Sequence, residues 1–385
     1  MMDDHYKIVC LFPGFDKINV TKDYGPFAVY LSRLNHSVKI LTYKNNSNKN
    51  INHIDGVELI RITGNPRNSY SIDIPLIRYI IQNQQNIDCV IASFTLSNII
   101  ASIFFKIYAN GFFILKMDSD GRLYRGNLGI RILKRLIGKL VFRILSLTSS
   151  LIIIETPEAR RRILSLYPYL TRKLKLVPFG IDRKIWTKPI SYDKKSPNKK
   201  ILFTGRIEYG KGVDLLINAF SRLKNQYPDW ILDLDGEVMP SFKDKLDKLI
   251  VKLEGRIIFS NSNNIKELSE KYAQADIFCF PSRYFHSLGP ESFGVVLLEA
   301  MYFRNAILAS NAGASEYVLD YGKAGLIFKT NDLEDLTKKL KNLMNDDNLR
   351  RKLAKNAQSR CENVFDWEQI ILEFNKELIG LKNRE

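Results

Sequence analysis

The sequence predicts an α/β chain built from two doubly wound domains. Three observations point there. Short apolar runs of strand length alternate with longer amphipathic stretches along the whole chain, as in right-handed β-α-β units with a largely parallel sheet. A polar, proline-bearing, lysine-rich stretch, Lys188-Pro189-Ile190-Ser191-Tyr192-Asp193-Lys194-Lys195-Ser196-Pro197-Asn198-Lys199, divides those runs about equally and reads as a linker. The length of 385 residues is enough for two cores.

Before the linker, strands are expected at 7–12, 38–43, 89–92, 112–117, 151–154 and 174–177. After it they are expected at 200–203, 230–234, 256–259, 277–280, 306–309 and 325–328. The apolar run 136–154 is interrupted by Lys139 and Arg143, so no membrane-spanning helix is expected there. It reads as the end of a helix followed by the strand Leu151-Ile152-Ile153-Ile154. The tail 365–381 reads as a helix, but its periodicity does not say where it packs. The expected division is 1–185 and 186–365, with a C-terminal helix over 366–385 that returns to the first domain.

Hydrophobic residues make up 45% of the chain, which excludes a disordered protein. The formal net charge is +17, which favours anionic partners: phosphate ligands, anionic lipid or nucleic acid. Charge alone does not establish nucleic-acid recognition, and no nucleic-acid motif accompanies it. Cys10, Cys89, Cys279 and Cys361 lack paired metal-ligand spacing; three of them lie in apolar, strand-like runs and read as reduced core residues. The start, Met1-Met2-Asp3-Asp4-His5, is acidic and runs straight into a strand, unlike a signal peptide. A cytoplasmic location is expected.

The most informative pattern is a pair of glutamates eight residues apart, Glu291 and Glu299. Glu299 sits inside an apolar run that reads as a buried helix, where a carboxylate is costly unless paired. Eight helical residues span about 12 Å. Two such carboxylates could hold the two hydroxyl-bearing ends of one extended ligand, with a helix N-terminus facing an anion between them. A nucleotide sugar is such a ligand. The plain alternative is a capping glutamate and a satisfied core glutamate.

The second pattern is Phe203-Thr204-Gly205-Arg206-Ile207-Glu208-Tyr209-Gly210-Lys211-Gly212-Val213-Asp214. Its glycines allow close backbone approach, and Arg206 and Lys211 supply two cations suited to a diphosphate. It nearly matches a P-loop, but Gly212 stands where the magnesium-binding hydroxyl belongs. A plain strand-to-helix turn with two surface cations is the simpler alternative.

Gly205-Arg206 with Lys211, then Pro281-Ser282-Arg283, Glu291-Ser292-Phe293-Gly294 and Glu299-Ala300 resemble the retaining GT-B glycosyltransferases of family 4. Val177-Pro178-Phe179-Gly180-Ile181-Asp182, Gly313-Ala314-Ser315-Glu316 and Gly322-Lys323-Ala324-Gly325-Leu326 resemble further landmarks of that family. The resemblance is ordered over about 175–330 and only topological before it. It implies two Rossmann-like domains facing across a cleft, the first binding acceptor and the second a nucleotide sugar. Arg206 and Lys211 would bind the donor diphosphate, and Glu299 the ribose hydroxyls. Glu291 would contact the donor sugar, with the backbone of Phe293 and Gly294 near the phosphates. The implied chemistry retains the anomeric configuration and needs no metal or other cofactor.

The N-terminal half departs from the family pattern. The first loop, Asp23-Tyr24-Gly25-Pro26-Phe27, has one glycine where related enzymes often have two. No histidine follows strand 112–117; Asp118-Ser119-Asp120-Gly121 stands there. Asp118 or Asp120 is a candidate for that contact with sugar or acceptor, and Gly25 for another. Asp118-Ser119-Asp120 also resembles a metal-binding Asp-x-Asp, although an Asp-rich turn is commonly a cap or loop. His286, in the loop before Glu291, is a candidate contact or a bystander.

Residues 122–154 contain no acid. Arg131, Arg135, Lys139 and Arg143 recur every four residues with Lys134 beside them, and Leu133, Leu136, Ile137, Leu140 and Ile144 are expected on the opposite face. Such a helix suits an anionic membrane surface. It equally suits an ordinary helix with its cations in water. The expected activity is transfer of a sugar from a nucleoside diphosphate to a glycan or lipid-linked glycan, on the inner face of the membrane. A nucleotide-sugar epimerase or hydrolase of the same fold is one alternative. A non-catalytic basic membrane or polyanion adaptor is the other.

Overall fold

The computed structural model describes residues 5–12, 24–43, 52–62, 74–109, 111–117, 128–186, 199–253, 255–283 and 293–382. The chain divides into two compact units, Met1–Phe179 with Trp367–Glu385, and Gly180–Asp366.

In the first unit the elements follow in the order β1 (Lys7–Leu11), α1 (Tyr24–Arg33), β2 (Ser37–Tyr43), β3 (His53–Ile54), β4 (Val57–Ile62), α2 (Ile74–Asn83), β5 (Cys89–Ser93), α3 (Leu96–Tyr108), β6 (Phe112–Met117), α4 (Leu128–Thr148), β7 (Leu151–Ile154), α5 (Pro157–Leu166) and β8 (Leu174–Leu176). Its sheet runs β3-β4-β2-β1-β5-β6-β7-β8. Every pairing is parallel except β3 with β4. The β3–β4 hairpin was not expected. Its signal was the turn pair Asp55-Gly56, both at positive φ, between short alternating runs.

The second unit contains β9 (Lys199–Thr204), α6 (Val213–Leu223), β10 (Trp230–Asp235), α7 (Pro240–Ile250), β11 (Ile257–Ser260), α8 (Ile265–Gln274), β12 (Ile277–Phe280), α9 (Val295–Tyr302), β13 (Ala306–Ser310), α10 (Ser315–Val318), β14 (Leu326–Phe328), α11 (Leu333–Asn345) and α12 (Asp347–Val364). Its sheet is parallel throughout, in the order β11-β10-β9-β12-β13-β14. Counted within the unit this is 3-2-1-4-5-6, so strand order reverses between β9 and β12. Ligands of open α/β sheets bind outside the strand carboxyl ends at such a reversal.

The helices start where local chemistry allows. The Thr95, Thr156, Asn264, Asp332 and Asp346 side chains each accept a first-turn N–H, satisfying donors the helix leaves over. At α8 the arrangement is reciprocal: Asn264 accepts from Glu267 N–H while Glu267 accepts from Asn263 N–H. Central strands are buried on both faces, as in β6, β7, β12 and β13, which is why they read as continuous apolar runs.

The last helix, α13 (Trp367–Lys382), belongs to the first unit. Phe27 of α1 lies 5.0 Å from the Phe374 ring and edge-on to Trp367. His36 meets Asn375 at 2.8 Å, and Lys175 pairs with Glu377 at 2.7 Å. Residues 180–185, expected in the first domain, lie in the second. Ile181 N–H donates to Phe365 C=O at 2.6 Å, and Trp186 packs edge-on against Tyr272 and Phe303. Most of the expected linker, 188–198, lies outside the described residues.

Two further expectations are corrected. Gly25 is in the first turn of α1, not a loop; a proline one residue later is compatible with a helix start, where its missing N–H costs nothing. Among the described side chains of α4, Gly138, Phe142 and Leu145 face inward, while Leu140 is 61% exposed beside Lys139 and Arg143. Leu140 and the exposed Leu147 are seven residues apart and share one side of the helix. The outer face is therefore both apolar and cationic, rather than cationic alone. The side chains of Arg131, Leu133, Lys134, Arg135, Leu136 and Ile137 lie outside the described residues. Among the described residues, no helix is long and apolar enough to cross a membrane.

Candidate active site at the strand reversal of the second unit

The chain leaves β9 through Gly205, at φ +131°. Gly236, after β10, approaches so closely that a Cβ there would lie 2.0 Å from Gly205 C=O. Gly205 N–H donates to Asp235 C=O at 2.9 Å and Ile207 N–H to Glu237 C=O at 2.8 Å. These contacts extend the β9–β10 ladder past the sheet. Arg206 stands half in solvent, 3.1 Å from Glu208. A short 3-10 turn over Tyr209–Lys211 follows.

Gly212 then takes φ +69° and starts α6. A Cβ at 212 would lie 1.9 Å from Pro281 C=O. No side chain fits, so the hydroxyl that a P-loop presents to magnesium has no room here.

The connection leaving β12 is bound to this turn. Arg283 N–H donates to Gly210 C=O at 2.9 Å. The buried Arg283 side chain donates from Nη1 to Tyr209 C=O at 2.5 Å and to Asp214 Oδ1 at 2.6 Å, and from Nε to Asn331 Oδ1 at 2.6 Å. Lys245 takes the other oxygen of Asp214 at 2.8 Å. Burial pushes the Asp214 carboxyl up. The hydrogen bonds and charges of Arg283 and Lys245 outweigh that and hold it below its ordinary value.

Past this connection Gly294, at φ +77°, caps α9. The helix starts at Val295, so its N-terminus falls between positions 291 and 299 of the sequence; Glu291 itself, and with it the expected 12 Å span, lies outside the described residues. Phe293 is buried, edge-on to Tyr317 and Phe365. Glu299 is 1% exposed. The Tyr272 hydroxyl donates to Glu299 Oε2 at 2.7 Å and lies 2.8 Å from the Thr204 hydroxyl. With its proton on the carboxylate, Tyr272 oxygen accepts from Thr204. Burial, then the adjacent Glu299, pushes the Tyr272 hydroxyl well above its usual pKa, so it remains a donor. Asn305 fixes the Tyr272 backbone by donating to its C=O at 2.8 Å.

The reversal thus brings the turn that carries Lys211 against the β12 exit that leads to Phe293, Gly294 and Glu299, while Arg206, on the same β9–α6 connection, stands where that connection is bonded to the β10 exit. A chain of hydrogen bonds ties Glu299 to Thr204, the residue before Gly205. Glu291, His286, Asp118 and Asp120 lie outside the described residues. Gly25 is in the first unit. Sequence reasoning missed the roles of Arg283, Asp214 and Tyr272. Arg283 was visible only as part of a landmark, and Tyr272 sits in an amphipathic helix with no local signal.

Residues 184–360 match the family model of Glycosyl transferases group 1. This segment is a glycosyl transferases group 1 domain. A phosphatidyl-myo-inositol mannosyltransferase from Mycolicibacterium smegmatis is 29% identical over 196 residues, covering 50% of this chain and 48% of the relative. A Campylobacter jejuni alpha-1,4-N-acetyl-D-galactosaminyltransferase, named for a diNAcBac-PP-undecaprenol-linked substrate, is 27% identical over 223 residues, covering 56% and 58%. The chain thus spans about half the length of these relatives. Anabaena HepE, solved in complex with UDP-glucose, superposes with a TM-score of 0.74 at 17% identity, covering 98% of this chain and all of that one. The chain has the GT-B fold, with the group 1 domain as its second unit.

Proposed function

We propose that the chain is a retaining glycosyltransferase of family 4. It moves a hexose-type sugar from a nucleoside diphosphate to a hydroxyl of a glycan or lipid-linked glycan. The observation that carries this reading is the buried Glu299, held by Tyr272 and tied through it to Thr204, which leads into the glycine turn that bears Arg206 and Lys211. Glu299 holds the ribose hydroxyls. Arg206 and Lys211 take the diphosphate, with the backbone of Phe293 and Gly294. Glu291 contacts the donor sugar. The acceptor-binding role falls to the first unit, with Gly25, Asp118 and Asp120 as candidate contacts with acceptor or sugar; His286 is a candidate contact with acceptor or donor.

As the bond from the anomeric carbon to the phosphate oxygen breaks, the leaving diphosphate gains negative charge. Fixed cations stabilise it without reorganising. The acceptor oxygen bonds to the same face of that carbon, and its proton passes to the departing phosphate oxygen. The cations do the charge work, so this reading needs no metal and no other cofactor. The relatives, among them a mannosyltransferase and an enzyme named for an undecaprenol-linked substrate, agree with it.

Thermal unfolding with UDP, GDP, ADP and TDP tests the proposal. One nucleotide at 100 times its dissociation constant should add about 2.7 kcal/mol. Glu299→Gln should weaken that nucleotide roughly 10- to 100-fold, as expected for a lost charged hydrogen bond. No response to any nucleotide at millimolar concentration defeats the reading and favours the adaptor alternative.

The exposed Lys139, Leu140, Arg143 and Leu147 of α4 support an acceptor at an anionic membrane surface inside the cell, with Arg131, Lys134 and Arg135 of the same sequence run as further candidate contacts. Each cation near such a surface is worth about 1 kcal/mol. Sedimentation with phosphatidylglycerol vesicles should pull the protein down, and phosphatidylcholine vesicles should not. Lys139→Glu with Arg143→Glu should cut the bound fraction at least severalfold. Equal binding to both lipids removes the charge argument.

A further inference from the structure

Arg283 does work that a diphosphate-binding cation could not do from the same place. Its side chain is 5% exposed and paired with Asp214, so its charge is already committed inside the protein. It reaches three strand ends at once: the β9 exit through Tyr209 and Asp214, its own β12 exit, and Asn331 after β14. Its guanidinium also lies 4.1 Å from the Tyr209 ring centroid, with Lys245 Nζ 4.6 Å from the same centroid. One exposed tyrosine is thus flanked by two cations, and Asp214 binds both.

The carbonyl that Arg283 holds is the carbonyl that closes the turn. Gly212 N–H donates to Tyr209 C=O at 3.0 Å, and Arg283 Nη1 donates to the same oxygen. Lys211 lies between those two residues. A planar, forked cation is needed to stack on Tyr209 and serve Tyr209, Asp214 and Asn331 together.

We propose that Arg283, locked to Asp214, is the positioning residue that sets the Tyr209–Gly212 turn and thereby the place of Lys211 in the donor site. Its role in donor affinity rests on the nucleotide-sugar reading; its role in fixing the turn does not. Arg283 touches no donor atom. Its effect on affinity passes through Lys211.

The test combines amide hydrogen exchange on the ligand-free protein with titration of UDP, GDP, ADP and TDP. The set is wild type, Arg283→Lys, Arg283→Met, Asp214→Asn, Lys211→Ala and Arg283→Met with Lys211→Ala. Exchange across 205–212 should rise in Arg283→Met while exchange in α11 stays as in wild type. The best-bound nucleoside diphosphate should weaken roughly tenfold in Arg283→Met, a typical coupling for residues in one network. Arg283→Lys and Asp214→Asn, the milder changes, should fall between it and wild type.

In the Lys211→Ala background the same Arg283→Met change should cost less than about threefold. Unchanged exchange across 205–212, or an equal loss with and without Lys211, overturns the assignment. If wild type binds none of UDP, GDP, ADP and TDP, the donor reading fails, and the exchange result alone decides whether Arg283 sets the turn.

Discussion

Gly212→Ala is expected to destabilise the second unit by roughly 4 kcal/mol. Two costs add. Alanine at φ +69° loses about 1–2 kcal/mol to the left-handed conformation. The larger cost is steric. The new Cβ would sit 1.9 Å from Pro281 C=O and 2.8 Å from its carbonyl carbon, so backbone rather than a pliable side chain must move. That movement separates the β9 and β12 connections and strains the Arg283 to Gly210 hydrogen bond.

Gly255→Ala is the control. Gly255 has a similar φ of +76°, but nothing lies within 4 Å of its Cβ position. It should cost only the conformational part, about 1–2 kcal/mol. Urea unfolding followed by the fluorescence of Trp186 and Trp230, both in the second unit, measures the pair. Equal losses at 212 and 255 would mean that the two connections are not in close approach.

The same contrast explains what the sequence could reveal. Gly205, Arg206, Lys211 and Glu299 were legible because each stands in a local pattern: glycines at a strand exit, or a carboxylate inside an apolar run. Asp214 and Arg283 are 69 residues apart in the chain, and Tyr272 and Glu299 are 27 apart. Nothing local announces either pair. Strand location followed the same logic. Strands buried on both faces were evident, whereas β4, with the sequence Val-Glu-Leu-Ile-Arg-Ile and mostly half-buried side chains, was not. On α4 Lys139 and Arg143, two of the four cations spaced four residues apart, are exposed. The placement of Leu140 was not legible, because periodicity gives relative faces and packing decides which one turns inward.

Lys116 shows how far packing can override composition. A lysine near the end of the strand Phe-Phe-Ile-Leu-Lys-Met would be expected to reach water, yet it is 1% exposed. It pairs with Glu155, the residue after β7 and itself 3% exposed, and its ammonium lies 4.4 Å from the Phe179 ring centroid. Lys116→Met should cost about 3–5 kcal/mol, because it strands a buried carboxylate. The loss should narrow in acid, where Glu155 can be buried neutral. Adding Glu155→Leu should recover most of the stability, since an apolar pair of similar volume needs no desolvation of charge. The pair sits at the carboxyl edge of its sheet, where α/β folds place ligands. Denaturant unfolding and sugar transfer should therefore be measured on the same double variant. Stability regained with transfer lost would mean the ion pair is kept for the chemistry at that edge. Both regained would make it a device of folding alone, and no recovery of stability would show that the cost lay in packing around Phe179 rather than in the stranded charge.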